Sequence, residues 1–179
     1  MTRLSDFSPD EIELIASLPY RVGMWISHAD DMDGEGDDEK EAKVLSGCLR
    51  QFAKMHDDKS LLSEVMTESL RREDKWAEWA DQSFTVLNDI KKVIPLLRDK
   101  ASTEEIKDLK RSLMEIGTAV ASAFGEFGMF DEEKTEGLFA KIISKFSALG
   151  GDDAGHPMNV SAAEDSALEN LRAVLTGKA

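Results

Sequence analysis

Apolar residues recur at steps of three and four along almost the whole chain, and no stretch alternates in the two-residue rhythm of a strand. Ser8-Pro9-Asp10-Glu11 reads as a helix start, with Ser8 as cap, proline at the first helical position and Glu11 completing a capping box. Ile12, Ile15 and Ala16 then form an apolar face, which Val22, Trp25, Ile26 and Ala29 continue. Pro19 lies between them and lacks the N–H that a helix interior needs, so a kink or a fresh start is expected there. Ala42, Leu45, Leu49 and Phe52 define a second helix, ending near His56-Asp57-Asp58. Leu62, Val65, Met66 and Leu70 define a shorter third, followed by the solvated joint Arg71-Arg72-Glu73-Asp74.

Trp76, Ala80, Ser83, Leu87, Ile90, Ile94 and Leu97 alternate steps of four and three, which predicts one long helix with a coiled-coil-like seam. Pro95 is placed to kink its end. Ser102-Thr103-Glu104-Glu105 is a second capping box, and Ile106, Leu109, Leu113, Ile116, Val120 and Phe124 give the clearest amphipathic pattern in the chain. Gly125 and Gly128 mark a turn, after which Leu138, Ile142, Phe146 and Leu149 line another helix. The glycine-rich stretch 150–157 reads as a linker. A third capping box, Ser161 through Glu164, opens a last helix with Leu168, Leu171 and Leu175 inward.

The pattern predicts an all-α protein, a compact bundle of about seven to eight helices. Residues 1–150 form the helical domain, and 151–179 supply a linker and a C-terminal helix, attached loosely or packed on the same domain. At 179 residues the chain is long enough to bury a core without disulfides or structural zinc. Its single cysteine, Cys48, falls among apolar positions and reads as a buried thiol.

Charge changes the picture at one place. Of the twelve residues Asp30 to Glu41, eight are acidic and one is basic, so this stretch carries half of the formal net charge of -14. It lies between two helices and contains Gly34 and Gly36. Carboxylates packed this densely repel one another, and a hard cation such as Ca2+ or Mg2+ relieves the repulsion. Counted from Asp31 as an EF-hand loop, positions one, three and five are Asp31, Asp33 and Glu35, position six is Gly36, and positions seven and nine are Asp37 and Glu39. Position twelve, which needs a bidentate glutamate, is Ala42, and position eight is Asp38 rather than apolar. An irregular site completed by Glu41 or His28 takes the place of an EF-hand proper.

The same charge argues against nucleic acid and against anionic lipid, and favours cations or a basic protein partner. No apolar run approaches membrane-spanning length. The opening Met-Thr-Arg-Leu-Ser-Asp-Phe-Ser lacks the apolar core of a secretion signal, so the cytoplasm is the expected compartment.

An apolar helix end, an acidic glycine loop and an acid-capped helix occur at Trp25–Lys40. They recur in weaker form from Val120 through Gly125-Glu126-Phe127-Gly128 to Asp131-Glu132-Glu133-Lys134. In this the chain resembles the TerB tellurite-resistance family and its TerB-like relatives, which are all-helical and carry a helix–acidic loop–helix unit twice. Asp33-Gly34-Glu35 followed by Asp37-Asp38-Glu39 resembles their signature, over a match in arrangement of roughly residues 10 to 150. The resemblance implies a divalent-cation site at Asp33, Glu35, Asp37 and Glu39, and a non-enzymatic, stress-related binding role.

Three other readings stand beside this one. His28 with Asp30 and Asp31 offers nitrogen and oxygen ligands to a transition metal. His56-Asp57, with His28, matches the residue types of HD-type metal phosphohydrolases, although Asp58-Lys59-Ser60 makes the dyad a helix end. Trp76 and Trp79 lie beside acids Glu73, Asp74 and Glu78 and are either core or partner anchors. No nucleophile elbow or phosphate-cradling glycine loop is present. The sequence therefore predicts a non-enzymatic binding or adaptor protein whose acidic loop takes a divalent cation, with a purely structural interaction module as the alternative.

Overall fold

One helix, α1 (Pro9–Ser27), touches every other helix among the described residues. The computed structural model describes residues 1–29, 38–55, 59–126 and 160–178, with side chains for 1–29, 45–55, 59–122 and 160–178. These residues are all-α. Around α1 stand α2 (Asp38–Met55), α3 (Leu61–Arg71), α4 (Trp76–Asp81), α5 (Val86–Arg98), α6 (Thr103–Glu126) and α7 (Ala162–Thr176). The expected boundary at 150/151, between helical domain and linker, lies outside the described residues, but α7 packs on α1, α5 and α6.

The sequence predicts an amphipathic α1, whereas the helix is buried on every face from Ile15 to Met24. The reason is legible in its composition: from Ile15 to Ser27 it carries one charged side chain, Arg21. A helix apolar all round belongs at a centre rather than on a surface. The helix also continues through Pro19, with no fresh start. Its cap is as expected, with the Glu11 N–H donating to Ser8 Oγ and the Ser8 N–H donating to Glu11 Oε2. The capping boxes at Ser102/Glu105 and Ser161/Glu164 form in the same way.

Close approach to α1 uses glycine. A Cβ at Gly23 would stand 2.3 Å from Leu45 Cδ1, so α2 lies against bare backbone there. At Gly117 of α6 a Cβ would stand 3.1 Å from Leu171 Cδ2 and 3.4 Å from Ile26 Cγ1, which seats α7 and α1 on the same notch. Lys100, just before α6, reaches Glu11 at 3.0 Å near the start of α1. With Ile26 beside Gly117, this sets α1 and α6 side by side in the same direction.

The core is continuous, from Leu18, Ile26, Leu49 and Phe52 to Ile90, Leu113, Ile116 and Leu171. Cys48 is buried in it, and burial pushes its thiol pKa up, away from reactivity. Trp76 and Trp79 are core rather than surface anchors. Trp76 stacks on Tyr20 at 4.7 Å and donates its indole N–H to Ser69 O, while Trp79 donates to Glu13 Oε1 at 3.2 Å. Glu13 also pairs with Arg72, which in turn holds Glu68.

The N-terminal residues are stapled to the bundle. The Thr2 N–H donates to Glu105 Oε1 at 2.8 Å, and the Leu4 N–H to Glu64 Oε2 at 2.6 Å. Partial burial works to raise the Glu105 pKa, but hydrogen bonds from Ser102 and Thr2 outweigh it and hold the carboxyl down at about 2.

Two predictions follow from this packing. Gly23→Ala adds helix propensity yet destabilises the protein by about 1–2 kcal/mol in urea denaturation, because fully buried Leu45 has no room to withdraw. A stabilised variant would contradict the close approach. For Glu105 the folded pKa lies below its ordinary value of 4.5, so its contribution to stability is complete above that pH and fades as pH falls toward about 2. Glu105→Gln is therefore expected to be less stable than wild type at neutral pH and to lose less stability between pH 4.5 and 2. Parallel pH profiles for the two proteins would show that the carboxylate carries no such linkage.

Candidate functional site

The long helix expected from Trp76 to Leu97 is not formed. A 3-10 turn (Glu73–Lys75) leads into α4, and a second 3-10 turn (Ser83–Thr85) separates α4 from α5. The cause is Arg21, reaching across from α1. Its Nε and Nη2 donate to Gln82 O at 3.3 and 2.8 Å, and Nη2 also reaches Thr85 Oγ1 and Asp89 Oδ2, each at 2.7 Å. The Gln82 carbonyl is thereby claimed by a side chain. The Thr85 N–H donates to it at the tighter three-residue spacing, and the Val86 N–H donates to Ser83 O.

This pair is interior. The Arg21 side chain is 3% exposed and that of Asp89 12%. Lys92 donates to the other Asp89 oxygen at 2.7 Å. Burial works to raise the Asp89 pKa, but hydrogen bonds and charge from Lys92 and Arg21 outweigh it and hold the group below its ordinary value. Sequence reading passed over both residues, although a signal existed. Arg21 lies three residues after Leu18 and four before Trp25, and Asp89 three after Val86 and four before Val93. Each is a charge standing on an inward position of its helix.

The residues singled out for ion binding fall elsewhere. Asp31, Asp33, Glu35 and Asp37 lie outside the described residues. Glu39 is in the first turn of α2, as are Asp38 and Glu41, and the N-terminal end of a helix favours carboxylates there. The side chains of Glu39 and Glu41 are not among those described. His56 and Asp57 also lie outside, and α2 ends at Met55 just before them. The second copy of the loop–helix unit, from Phe127 onward, is outside as well.

His28 closes α1 next to the acidic stretch. Its Nδ1 is 3.3 Å from Ser83 Oγ, and its ring stacks on Phe84 at 5.5 Å and 16°. The same 3-10 turn that Arg21 holds therefore also carries the residues that engage His28. Among the described residues there is no cluster of three or more His, Cys, Asp or Glu side chains able to hold a metal. No helix among them is long and apolar enough to cross a membrane. Compared with protein-family models, curated proteins and solved structures, the chain matches none.

Breaking the interior pair has a defined cost. Asp89→Ala leaves the Arg21 guanidinium inside the core without its carboxylate and is expected to lower stability by about 3 kcal/mol in urea denaturation. A loss below about 1 kcal/mol would mean that the pair is no more than a surface-strength contact.

Proposed function

We propose that this chain is a non-enzymatic helical binding protein, TerB-like in arrangement, whose acidic segment Asp30–Glu41 takes up a divalent cation, Ca2+ or Mg2+, with Asp31, Asp33, Glu35, Asp37 and Glu39 as its ligands. One observation carries this reading. Eight carboxylates occupy twelve consecutive residues, and five of them fall in the ten residues between the end of α1 at Ser27 and the start of α2 at Asp38.

The packing of those two helices supports it. The close approach of Gly23 and Leu45 lies about one turn before the end of α1 and about two turns after the start of α2. The two helices therefore approach one another close to the ends between which this stretch runs. The C-terminal end of α1 adds partial negative charge on one side. Oxygen-only ligands on a hard cation meet both sources of repulsion at once. The buried charge of Arg21, by contrast, is already met by a carboxylate, that of Asp89.

Calorimetric titration of the full chain with Ca2+, Mg2+, Mn2+ and Zn2+ tests the reading. Ca2+ or Mg2+ is expected to bind wild type, and the double substitution Asp33→Asn with Glu35→Gln to weaken that binding at least about tenfold, a change of about 1.4 kcal/mol. Binding that survives both substitutions, or no binding at all, overturns it.

A further inference from the structure

The segment ahead of α1 sits on the bundle as a ligand sits in a site. Its own bonds are few and local. Leu4–Asp6 form a 3-10 turn in which the Asp6 N–H donates to Arg3 O at 3.0 Å, the Phe7 N–H to Leu4 O at 3.2 Å and the Arg3 N–H to Asp6 Oδ2 at 2.8 Å. The rest of its support comes from elsewhere. Glu64 of α3 and Glu105 of α6, on helices that touch each other, receive the amides of alternate residues, Leu4 and Thr2. Each carboxylate also meets a side chain. Glu64 pairs with Arg3 at 2.7 Å, and Glu105 Oε2 lies 3.1 Å from Thr2 Oγ1, which donates to Lys100 O at 2.9 Å. Lys100 Nζ donates to Asp6 O at 3.1 Å and stands 4.8 Å from the centre of the Phe7 ring. Leu4 and Phe7 are buried.

Carboxylates on rigid helices accept main-chain N–H groups from any extended segment that presents them, and apolar seats choose its side chains. Vacating the groove would strip hydrogen bonds from Glu64 and Glu105 and open the apolar surface under Leu4 and Phe7 to water, so an opened groove favours a replacement. Opening needs little rearrangement. Phe7 and Ser8 both have extended backbone, and the Ser8 capping box closes α1 without the residues before it. A segment held in this way, outside any long helix, opens at lower cost than the core. Phosphate-bearing ligands would meet Glu64 and Glu105 with like charge, whereas a peptide brings the amides those groups take.

We propose that the groove between α3 and α6 is a peptide-docking site which residues 2–7 occupy in cis, and that an extended segment of a partner protein with the same pattern displaces them. The pattern is a serine or threonine, an apolar residue two positions on and an aromatic residue three beyond that, with a basic residue between the first two. The first and third residues give their amides to Glu105 and Glu64, the basic residue pairs with Glu64, and the ring lies against Lys100. The chain's own segment is then a built-in competitor for the site. This goes beyond the cation reading and uses none of its residues.

The full chain is used throughout the test. In native-state hydrogen exchange, the Thr2 and Leu4 amides are expected to exchange at least about tenfold faster than those of Leu18 and Val22 in α1. A peptide of residues 1–8, labelled with fluorescein at its C-terminal end, is titrated by anisotropy against wild type and two variants with a loosened segment, Leu4→Asp and Arg3→Glu. Arg3 is half exposed, so the second variant leaves the core untouched. Both variants are expected to bind the peptide at least about tenfold more tightly than wild type. Adding Glu64→Ala should weaken that binding at least about tenfold, and the same residues in scrambled order should not bind. Amides of Thr2 and Leu4 as slow as those of Leu18 and Val22, no peptide binding to either variant, or equal binding of the scrambled peptide overturns the proposal. A wild-type dimer by light scattering that Arg3→Glu abolishes also overturns it, since the occupant would then be a second copy of the chain.

Discussion

Arg21 puts a guanidinium inside the one helix that every other described helix packs against. A charge there has no water to turn to, so five potential N–H donors must find acceptors from whatever surrounds α1. They find them on one short stretch. Gln82 O, Thr85 Oγ1 and Asp89 Oδ2 all come from the α4–α5 junction, and Ser17 of α1 lies 3.4 Å from Nη1. The need to satisfy one buried cation thus decides where a helix stops, where the next begins and which residues of the joint face outward.

Two other features depend on the same joint. Ser83, drawn inward, meets His28 at the end of α1, and Phe84 is left in solvent over the imidazole. The acidic stretch begins at Asp30, directly after His28 and Ala29 in sequence. Structural and candidate functional residues therefore meet at a single end of the central helix. Its other end is occupied by stability devices, the Ser8 capping box and the pair between Lys100 and Glu11.

Much of this was legible because it is local. The three capping boxes involve residues three apart, and the inner faces of α2, α3, α6 and α7 follow the helical repeat, so Leu45, Leu49, Leu113, Ile116 and Leu171 are buried where periodicity puts them. What was not legible depends on residues far apart in sequence. The break at Gln82 is made by Arg21, 61 residues earlier, and in the run from Trp76 to Leu97 only the inward charge of Asp89 hints at it. Burial of α1 on every face from Ile15 to Met24 depends on neighbours on every side, although the single charge between Ile15 and Ser27 hinted at it. Of the candidate ion ligands, density of charge was legible, but Asp31, Asp33, Glu35 and Asp37 lie outside the described residues, and their arrangement stays a matter for the titration.

The dependence of the joint on one guanidinium is open to direct measurement. Through-hydrogen-bond couplings in NMR spectra of Arg21→Met report which carbonyl each amide of residues 82–86 engages. With the guanidinium gone, the Val86 N–H is expected to shift from Ser83 O to Gln82 O, so that α4 and α5 merge into one helix. A Val86 N–H still donating to Ser83 O in that variant would show that the joint is set by its own sequence and that Arg21 only occupies it.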